Sequence, residues 1–157
     1  MTVFTDLQSV KLLSDLNDRN LRKIERITSV ETYPEGGFIF RENQYADDLY
    51  AVVQGKVALE LTVNTSRCRV KDVFPGESFG ISSVVDTGMR TYIADAIAVR
   101  PSKVFRWGNS ALERMFYEDC ELGFIFMRNV GKVLKKRLQY TRAQLADGMY
   151  CQQYQTA

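Results

Sequence analysis

The pattern of apolar and polar positions divides the chain into three parts, of which the first is helical. Near the N terminus apolar residues recur every three or four positions, as in Leu21, Ile24 and Ile27, which is the spacing of an amphipathic helix. Asn17 stands just before this stripe and is a residue type that caps helices. We therefore predict N-terminal helices within residues 1–29.

From residue 30 the pattern changes to short apolar or alternating runs separated by turn residues. Gly55 interrupts one such run, where it predicts a hairpin turn, and Pro75 and Gly76 end another. Short strands at this spacing are typical of a sandwich or barrel, and we predict about eight of them over residues 30–107. The strands pause at residues 80–86, where a segment that begins with glycine predicts one short helical turn.

The last third of the chain is again helical in pattern, with C-terminal helices predicted over residues 108–147. Asp119 can cap a long helix that follows it, and Gly148 is typical of a helix end. We expect residues 148–157 to form a frayed tail. No long linker interrupts the sequence, so residues 1–157 are predicted to form a single domain, mainly β with flanking helices (α+β).

The long C-terminal helix carries two apolar stripes. The first follows a heptad spacing and consists of Met127, Gly131, Leu134, Leu138, Thr141 and Leu145. The second consists of Phe126, Val130, Val133 and Tyr140. One stripe can cover the barrel while the other meets the same helix of a second copy, so we predict a homodimer with the first stripe as its seam. The alternative is a single broad stripe that faces the core.

Basic residues also cluster on this helix, and their simplest interpretation is a solvated flank of a coiled coil. They are Lys132, Lys135, Lys136, Arg137 and Arg142.

Composition narrows the function classes. The 157 residues carry a net charge of +2, which is too balanced to predict nucleic acid or membrane as an obligate partner. The sequence has no histidine and only three cysteines, which are far apart. The absence of histidine excludes the nucleophile pairs that serine or cysteine forms with histidine, and it excludes most zinc sites. We therefore expect no enzyme, no catalytic residue and no metal. The odd cysteine count favours a reducing, cytoplasmic setting.

An ordered set of motifs runs through the middle of the chain. A glycine turn and strand occupy residues 36–42, and an acidic turn, an aromatic strand and a closing glycine occupy residues 47–55. Gly76, Phe79 and Gly80 then precede an Arg90-Thr91 pair. In this order and spacing the motifs resemble the cyclic-nucleotide-binding domain of bacterial catabolite-activator-type regulators, protein kinase A regulatory subunits and gated channels. The resemblance spans most of the chain. It implies a jelly-roll β-roll (a double-stranded β-helix) followed by a long C-terminal helix that pairs two copies.

The resemblance also implies a phosphate-binding cassette. Its residues are Phe79, Gly80, Ile81, Ser82, Ser83, Arg90 and Thr91. A tight turn at Gly80 lets the backbone approach a ligand, and the serine hydroxyls add donors. Arg90 offers a planar fork suited to a phosphate, although a salt bridge to Glu77 or Asp86 is its alternative role.

One cassette position departs from the family. The family has a glutamate directly after Phe-Gly, where it holds the ribose 2′-hydroxyl, and this chain has Ile81. An alkyl group offers a hydroxyl no hydrogen bond. We therefore predict that the site keeps an anion cradle but binds cyclic AMP weakly or not at all.

These observations favour a non-enzymatic regulatory or sensor module. It would bind an anionic ligand, for which a nucleotide or another phosphate-bearing molecule is the candidate. We expect no cofactor. The module would signal to a protein partner through its C-terminal helices. The alternative is a degenerate cassette without a ligand, which serves as a dimerisation or protein-docking scaffold. The family's regulators read DNA with a helix-turn-helix after the long helix, and this sequence ends about there. We therefore expect no sequence-specific DNA binding, and no membrane association.

Overall fold

A computed structural model describes the backbone of residues 2–155 and the side chains of residues 2–148. Two short helices open the chain, α1 (Val3–Gln8) and α2 (Asp18–Arg26), with a 3₁₀ turn at Lys11–Leu13 between them. The side chain of Asn17 accepts the Asn20 N–H at 2.9 Å and caps α2, as predicted. The predicted N-terminal helices are therefore confirmed.

An antiparallel sheet follows, and it has six strands in the part of the chain that the structure describes. They are β1 (Ser29–Tyr33), β2 (Phe38–Phe40), β3 (Asp48–Val63), β4 (Ser66–Val73), β5 (Ser78–Phe79) and β6 (Asp95–Gly108). The central order is β1-β6-β3-β4, with β2 paired to β6 and β5 paired to β3. The predicted class, a mainly β domain of the jelly-roll type with flanking helices, is confirmed.

The predicted count of about eight strands is wrong because two strands are longer than the sequence pattern indicates. Strand β3 does not turn at Gly55 but continues through it. Gly55 adopts φ +91°, and the pairing of β3 with β6 shifts register on both sides of it. Gly55 therefore forms an irregularity of the bulge type within one strand, where the sequence predicts a hairpin turn. Strand β6 likewise runs unbroken past Pro101.

Two helices close the domain, α3 (Asn109–Glu118) and α4 (Cys120–Gln155). The side chain of Asp119 accepts the Leu122 N–H at 3.0 Å, which confirms the predicted cap of the long helix. The predicted helix end at Gly148 is wrong, and so is the frayed tail as far as residue 155, because α4 continues through Gly148. One glycine within a long helix costs only about 1 kcal/mol, too little to end it. Residues 156 and 157 lie outside the described part.

Two apolar clusters form the core. The larger one joins the N-terminal helices, α3 and α4 to one end of the sheet, and it includes Trp107, which is fully buried. The indole N–H of Trp107 donates to the Thr28 hydroxyl at 2.8 Å. The smaller cluster fills the roll with aromatic rings, and two of them, Phe40 and Tyr92, stack at 3.7 Å between centroids. Among the described residues no helix is both long and apolar enough to cross a membrane.

Candidate functional site

The cassette begins with a left-handed turn that requires glycine. Gly80 adopts φ +77°, and a Cβ atom there would lie 3.0 Å from the Asp48 carbonyl oxygen. A 3₁₀ turn at Ile81–Ser83 follows directly, which confirms the short helical turn predicted for residues 80–86. At Gly80 the backbone is therefore pressed against β3, where a side chain would not fit.

The two serines of this turn have different environments. The hydroxyl of Ser83 is buried and donates to the Gly80 carbonyl at 2.8 Å, so it stabilises the turn itself. Ser82 is half-buried. Of the two hydroxyls that the sequence suggests as ligand donors, Ser82 is therefore the better placed.

Phe79 and Ile81 support the turn from the core. Phe79 is fully buried and stacks on Tyr50 at 5.2 Å between ring centroids. Ile81 is only 7% exposed and belongs to the larger apolar cluster, together with Leu12 and Leu49. The residue in the family's ribose-binding position is thus part of the hydrophobic core.

Arg90 lies on the loop between the 3₁₀ turn and β6 and reaches a carboxylate of α3. Its guanidinium is 3.2 Å from Oε1 of Glu113, so its ion-pair partner is neither Glu77 nor Asp86. Desolvation alone would lower the pKa of Arg90, but Tyr45 and Glu113 hold it above its ordinary value. The backbone of the loop is held in place as well, because the Arg90 carbonyl accepts the Ala46 N–H and Thr91 bridges to Tyr45.

A cavity of about 660 Å³ lies between α4 and the sheet, next to the cassette. Ser78, which precedes Phe79, and Ile93, which follows the Arg90 loop, both line it. Leu59 of β3 and Val70 of β4 form its apolar wall, and Val133 faces it from α4. Its size falls within the usual range of small-molecule sites.

Arg137 of α4 also lines this cavity, although the basic cluster predicts a solvated position for it. The prediction that this residue lies on a solvated flank is wrong, because its guanidinium donates to the Ser78 carbonyl and burial lowers its pKa. Arg137 follows Val130 and Val133 at helical spacing, so its place on the inward stripe was the available signal.

The lysines around the cavity are mostly neutralised. Lys11 and Lys71 each lie 3.6 Å from Glu77, and Lys132 lies 2.8 Å from Asp15. Burial alone would raise the pKa of Glu77, but the Phe74 N–H donates to it and the two lysines are close, so its pKa lies below the ordinary value.

The two stripes of α4 differ in exposure. Phe126 and Val130 are buried against the domain, while Met127, Leu134 and Leu138 are 38%, 39% and 59% exposed. Gly131 is exposed too, and a Cβ built on it has no described atom within 4 Å. Tyr140 of the second stripe is 59% exposed. The second stripe therefore covers the domain over its first part, and the heptad seam is uncovered in the single chain.

Known proteins share both the sequence pattern and this fold. The family model described as Cyclic nucleotide-binding domain matches residues 30–119. A CRP-like cAMP-activated global transcriptional regulator of Mycobacterium tuberculosis is 28% identical over 116 residues, which are 73% of this chain and 49% of the regulator. The cGMP-dependent protein kinase, isozyme 1, of Drosophila melanogaster is 28% identical over 120 residues, 74% of this chain and 15% of the kinase. The chain thus spans half or less of these curated relatives.

Solved structures agree with these matches. The N-terminal domain of a transcriptional regulator from Streptomyces coelicolor A3(2) has a TM-score of 0.72 at 26% identity, over 87% of this chain and 94% of that one. A cyclic nucleotide-binding domain from Methylobacillus flagellatus KT has a TM-score of 0.80 at 19% identity, over 92% and 80% of the two chains, and shows likeness of fold alone. Because the family model covers more than half of its length, this chain belongs to the cyclic nucleotide-binding domain family.

Proposed function

We propose that the chain is a non-enzymatic regulatory sensor domain that binds a phosphate-bearing anion at the cassette and signals through its C-terminal helices. The observation that carries this proposal is the ion pair between Arg90 and Glu113. It joins the cassette arginine, whose planar fork suits a phosphate, to α3, the helix that leads into α4. A ligand that takes Arg90 breaks this contact with α3.

The Arg90–Glu113 pair is readily exchanged for a ligand. Glu113 is half exposed and meets the guanidinium through a single oxygen atom, a geometry that stabilises little in contact with water. A phosphate can accept two parallel hydrogen bonds from the same guanidinium. The docking-scaffold alternative needs an arginine tied to a carboxylate in a collapsed pocket. Arg90 is tied to Glu113, and the cavity beside the cassette is lined by Ser78 rather than by Arg90. Exchange of Glu113 for a ligand therefore distinguishes the sensor from the scaffold.

The named relatives supply the ligand class to be tested. One is described as cAMP-activated and another as cGMP-dependent, so cyclic nucleotides are the first candidates for this chain. Because Ile81 is buried in the core and offers no acceptor to a ribose hydroxyl, we expect cyclic AMP to bind weakly.

We expect Arg90→Ala to weaken the binding of whichever cyclic nucleotide binds at least tenfold, because the substitution deletes the charged donor. Glu113→Gln should strengthen binding, since it frees Arg90 without deleting it. Calorimetry with cyclic AMP, cyclic GMP and cyclic di-GMP at up to millimolar concentration measures both effects. Arg19→Ala, which removes an exposed arginine of α2, is the matched control. Unchanged affinity in Arg90→Ala, or no binding of any of the three by the wild type, contradicts the proposal.

We also propose that two copies pair through α4. The helix is 36 residues long, and its seam residues Leu134 and Leu138 are exposed in the single chain. A helix segment without tertiary packing is marginally stable in water. A second copy that presents the same heptad seam covers both leucines at once.

Leu134→Asp should convert the dimer to a monomer, because symmetry places two carboxylates in one apolar seam. Light scattering at tens of micromolar chain gives the mass directly. Gln139→Asp introduces the same charge at an exposed position beside the seam and should leave the dimer intact. A wild-type chain that is monomeric at this concentration, or a dimer that survives Leu134→Asp, contradicts the pairing.

A further inference from the structure

The positive charge of the chain is concentrated on α4. Residues 122–146 contain six of the 21 basic residues and none of the 19 acidic ones, so the rest of the chain is acidic on balance. The net charge of +2 therefore combines a strongly cationic helix segment with an anionic remainder. Such an asymmetry indicates where an anionic partner would bind, because complementary potentials steer and orient association.

Three of these six cations recur at every seventh residue. Arg128, Lys135 and Arg142 each directly follow a residue of the heptad seam, so they lie in one line beside it, which we call the basic stripe. All three side chains are exposed, and none lines the cavity between α4 and the sheet. The other three basic residues of the segment do line that cavity. The basic stripe is therefore a separate surface, turned away from the cassette.

The basic stripe lacks a carboxylate that would neutralise it. Among the described residues none forms an ion pair with Arg128, Lys135 or Arg142, whereas the neighbouring Lys132 pairs with Asp15 at 2.8 Å. The guanidinium of Arg128 lies 5.7 Å from the centre of the Phe124 ring, a contact that leaves its charge in place. The three cations are thus available to a partner.

A second copy of α4 does not supply the missing carboxylates. In a parallel coiled coil the residues that flank the seam on one helix face those that flank it on the opposite side of the other helix. On α4 the residues of that opposite flank are Val130, Arg137 and Gln144, and none of them is acidic. Two paired α4 helices therefore leave the basic stripe of each copy without a counter-charge.

We propose that the basic stripe binds an acidic helical segment of a partner protein. Carboxylates at every third or fourth position lie on one face of a helix, so such a segment can present them along the roughly 21 Å from Arg128 to Arg142. A nucleic acid duplex is less suited, because it extends past the stripe toward the acidic remainder of the chain. The inference rests on the proposed function for its meaning as an output, and it names the chemistry of the partner that α4 would signal to.

The test titrates the isotope-labelled full chain with an alanine-based helical peptide of about three heptads whose glutamates lie on one face. We expect NMR shift changes centred on Arg128, Lys135 and Arg142, with a dissociation constant of about one millimolar or below at low salt. Salt at about 0.3 M should weaken the binding several-fold, because it screens exposed charges.

Two comparisons define the partner class. A peptide of the same composition, with its glutamates distributed around the helix, should bind at least threefold more weakly than the one-sided peptide. Tighter binding of a short DNA duplex or of phosphatidylglycerol vesicles would assign the basic stripe to another class of partner and overturns the inference. No binding of the one-sided peptide, or equal binding of the two peptides, also overturns it.

Variants locate the peptide. Lys135→Glu combined with Arg142→Glu should weaken binding of the one-sided peptide at least fivefold, because each change turns an attraction into a repulsion. Both side chains are exposed, so the melting temperature should stay close to that of the wild type. Arg19→Glu combined with Arg26→Glu alters the net charge equally on the exposed face of α2 and should leave binding within twofold. Equal weakening by the two double variants, or unchanged affinity in the α4 variant, overturns the inference.

Arg90→Ala separates this inference from the proposed function. It should leave peptide binding within twofold while it weakens cyclic nucleotide binding. If Arg90→Ala abolishes peptide binding, the peptide binds at the cassette, so the inference about the basic stripe is wrong. If it leaves cyclic nucleotide binding intact while the peptide still binds α4, the proposed function is wrong and the basic stripe stands.

Discussion

Gly55→Ala should be among the most destabilising single substitutions in the chain. Its φ of +91° disfavours any side chain, and a Cβ there would lie 2.6 Å from the Pro101 carbonyl oxygen, in addition to a clash with the Ser102 side chain. The Ser102 hydroxyl cannot move aside, because it accepts the Lys56 N–H at 3.0 Å and donates to the Arg100 carbonyl at 2.7 Å. The backbone strain of about 1–2 kcal/mol adds to an overpacking cost of about 1–3 kcal/mol.

Gly36→Ala is the matched control, because Gly36 has a similar φ of +80° and no atom within 4 Å of a built Cβ. It should show the backbone strain alone, about 1–2 kcal/mol. Urea unfolding measures the free energy of unfolding that each variant loses relative to the wild type. The difference between the two losses isolates the contact between β3 and β6. Equal losses in the two variants would show that Gly55 is free to move away from Ser102.

Ile81→Glu should destabilise the fold by about 3–5 kcal/mol near neutral pH, because it places an unpaired carboxylate in the larger apolar cluster. Burial raises the pKa of such a carboxyl in the folded state above its value in the unfolded state. The loss of stability due to the charge therefore grows as pH rises from the unfolded pKa to the folded pKa, and it stays constant above that. Below the unfolded pKa the carboxyl is neutral in both states and the charge penalty vanishes. The melting-temperature gap to the wild type should therefore be smaller at pH 4 than at pH 8.

Ile81→Gln separates the charge from the loss of apolar packing. It introduces a polar group of the same length that does not titrate, so its stability relative to the wild type should not change with pH. Thermal melts of both variants across this pH range provide the measurement. A glutamate variant that is as stable as the wild type and gains cyclic AMP affinity would show that position 81 faces the ligand, contrary to its burial here.

Features set by a few neighbouring residues were predictable from the sequence. Asn17 and Asp119 cap their helices as expected, and Gly80 forms the expected turn, because each depends on a hydrogen bond or a backbone angle within three residues. Gly55 shows where such reasoning fails. A glycine with positive φ serves equally well in a hairpin turn and in a bulge, and only the partner strand decides between them.

The candidate site was less predictable because its contacts are distant in sequence. Glu113 lies 23 residues from Arg90, and Ser78 lies 59 residues from Arg137, so both pairs depend on how α3 and α4 pack on the roll. The sequence offers the nearer Glu77 for Arg90, but that carboxylate accepts the Phe74 N–H and faces Lys11 and Lys71.

The length of α4 amplifies small movements at its base. The helix packs on the body through Leu122, Phe126 and Val130, and its backbone continues to Gln155. Arg137 still contacts strand β5. At 1.5 Å per residue, the part beyond Arg137 is a lever arm of roughly 27 Å. A tilt of about 10° at its base would sweep the far end through roughly 5 Å, about one helical turn. A rearrangement around Arg137 too small to disturb the core would therefore reach a partner at the far end as a displacement of several ångströms.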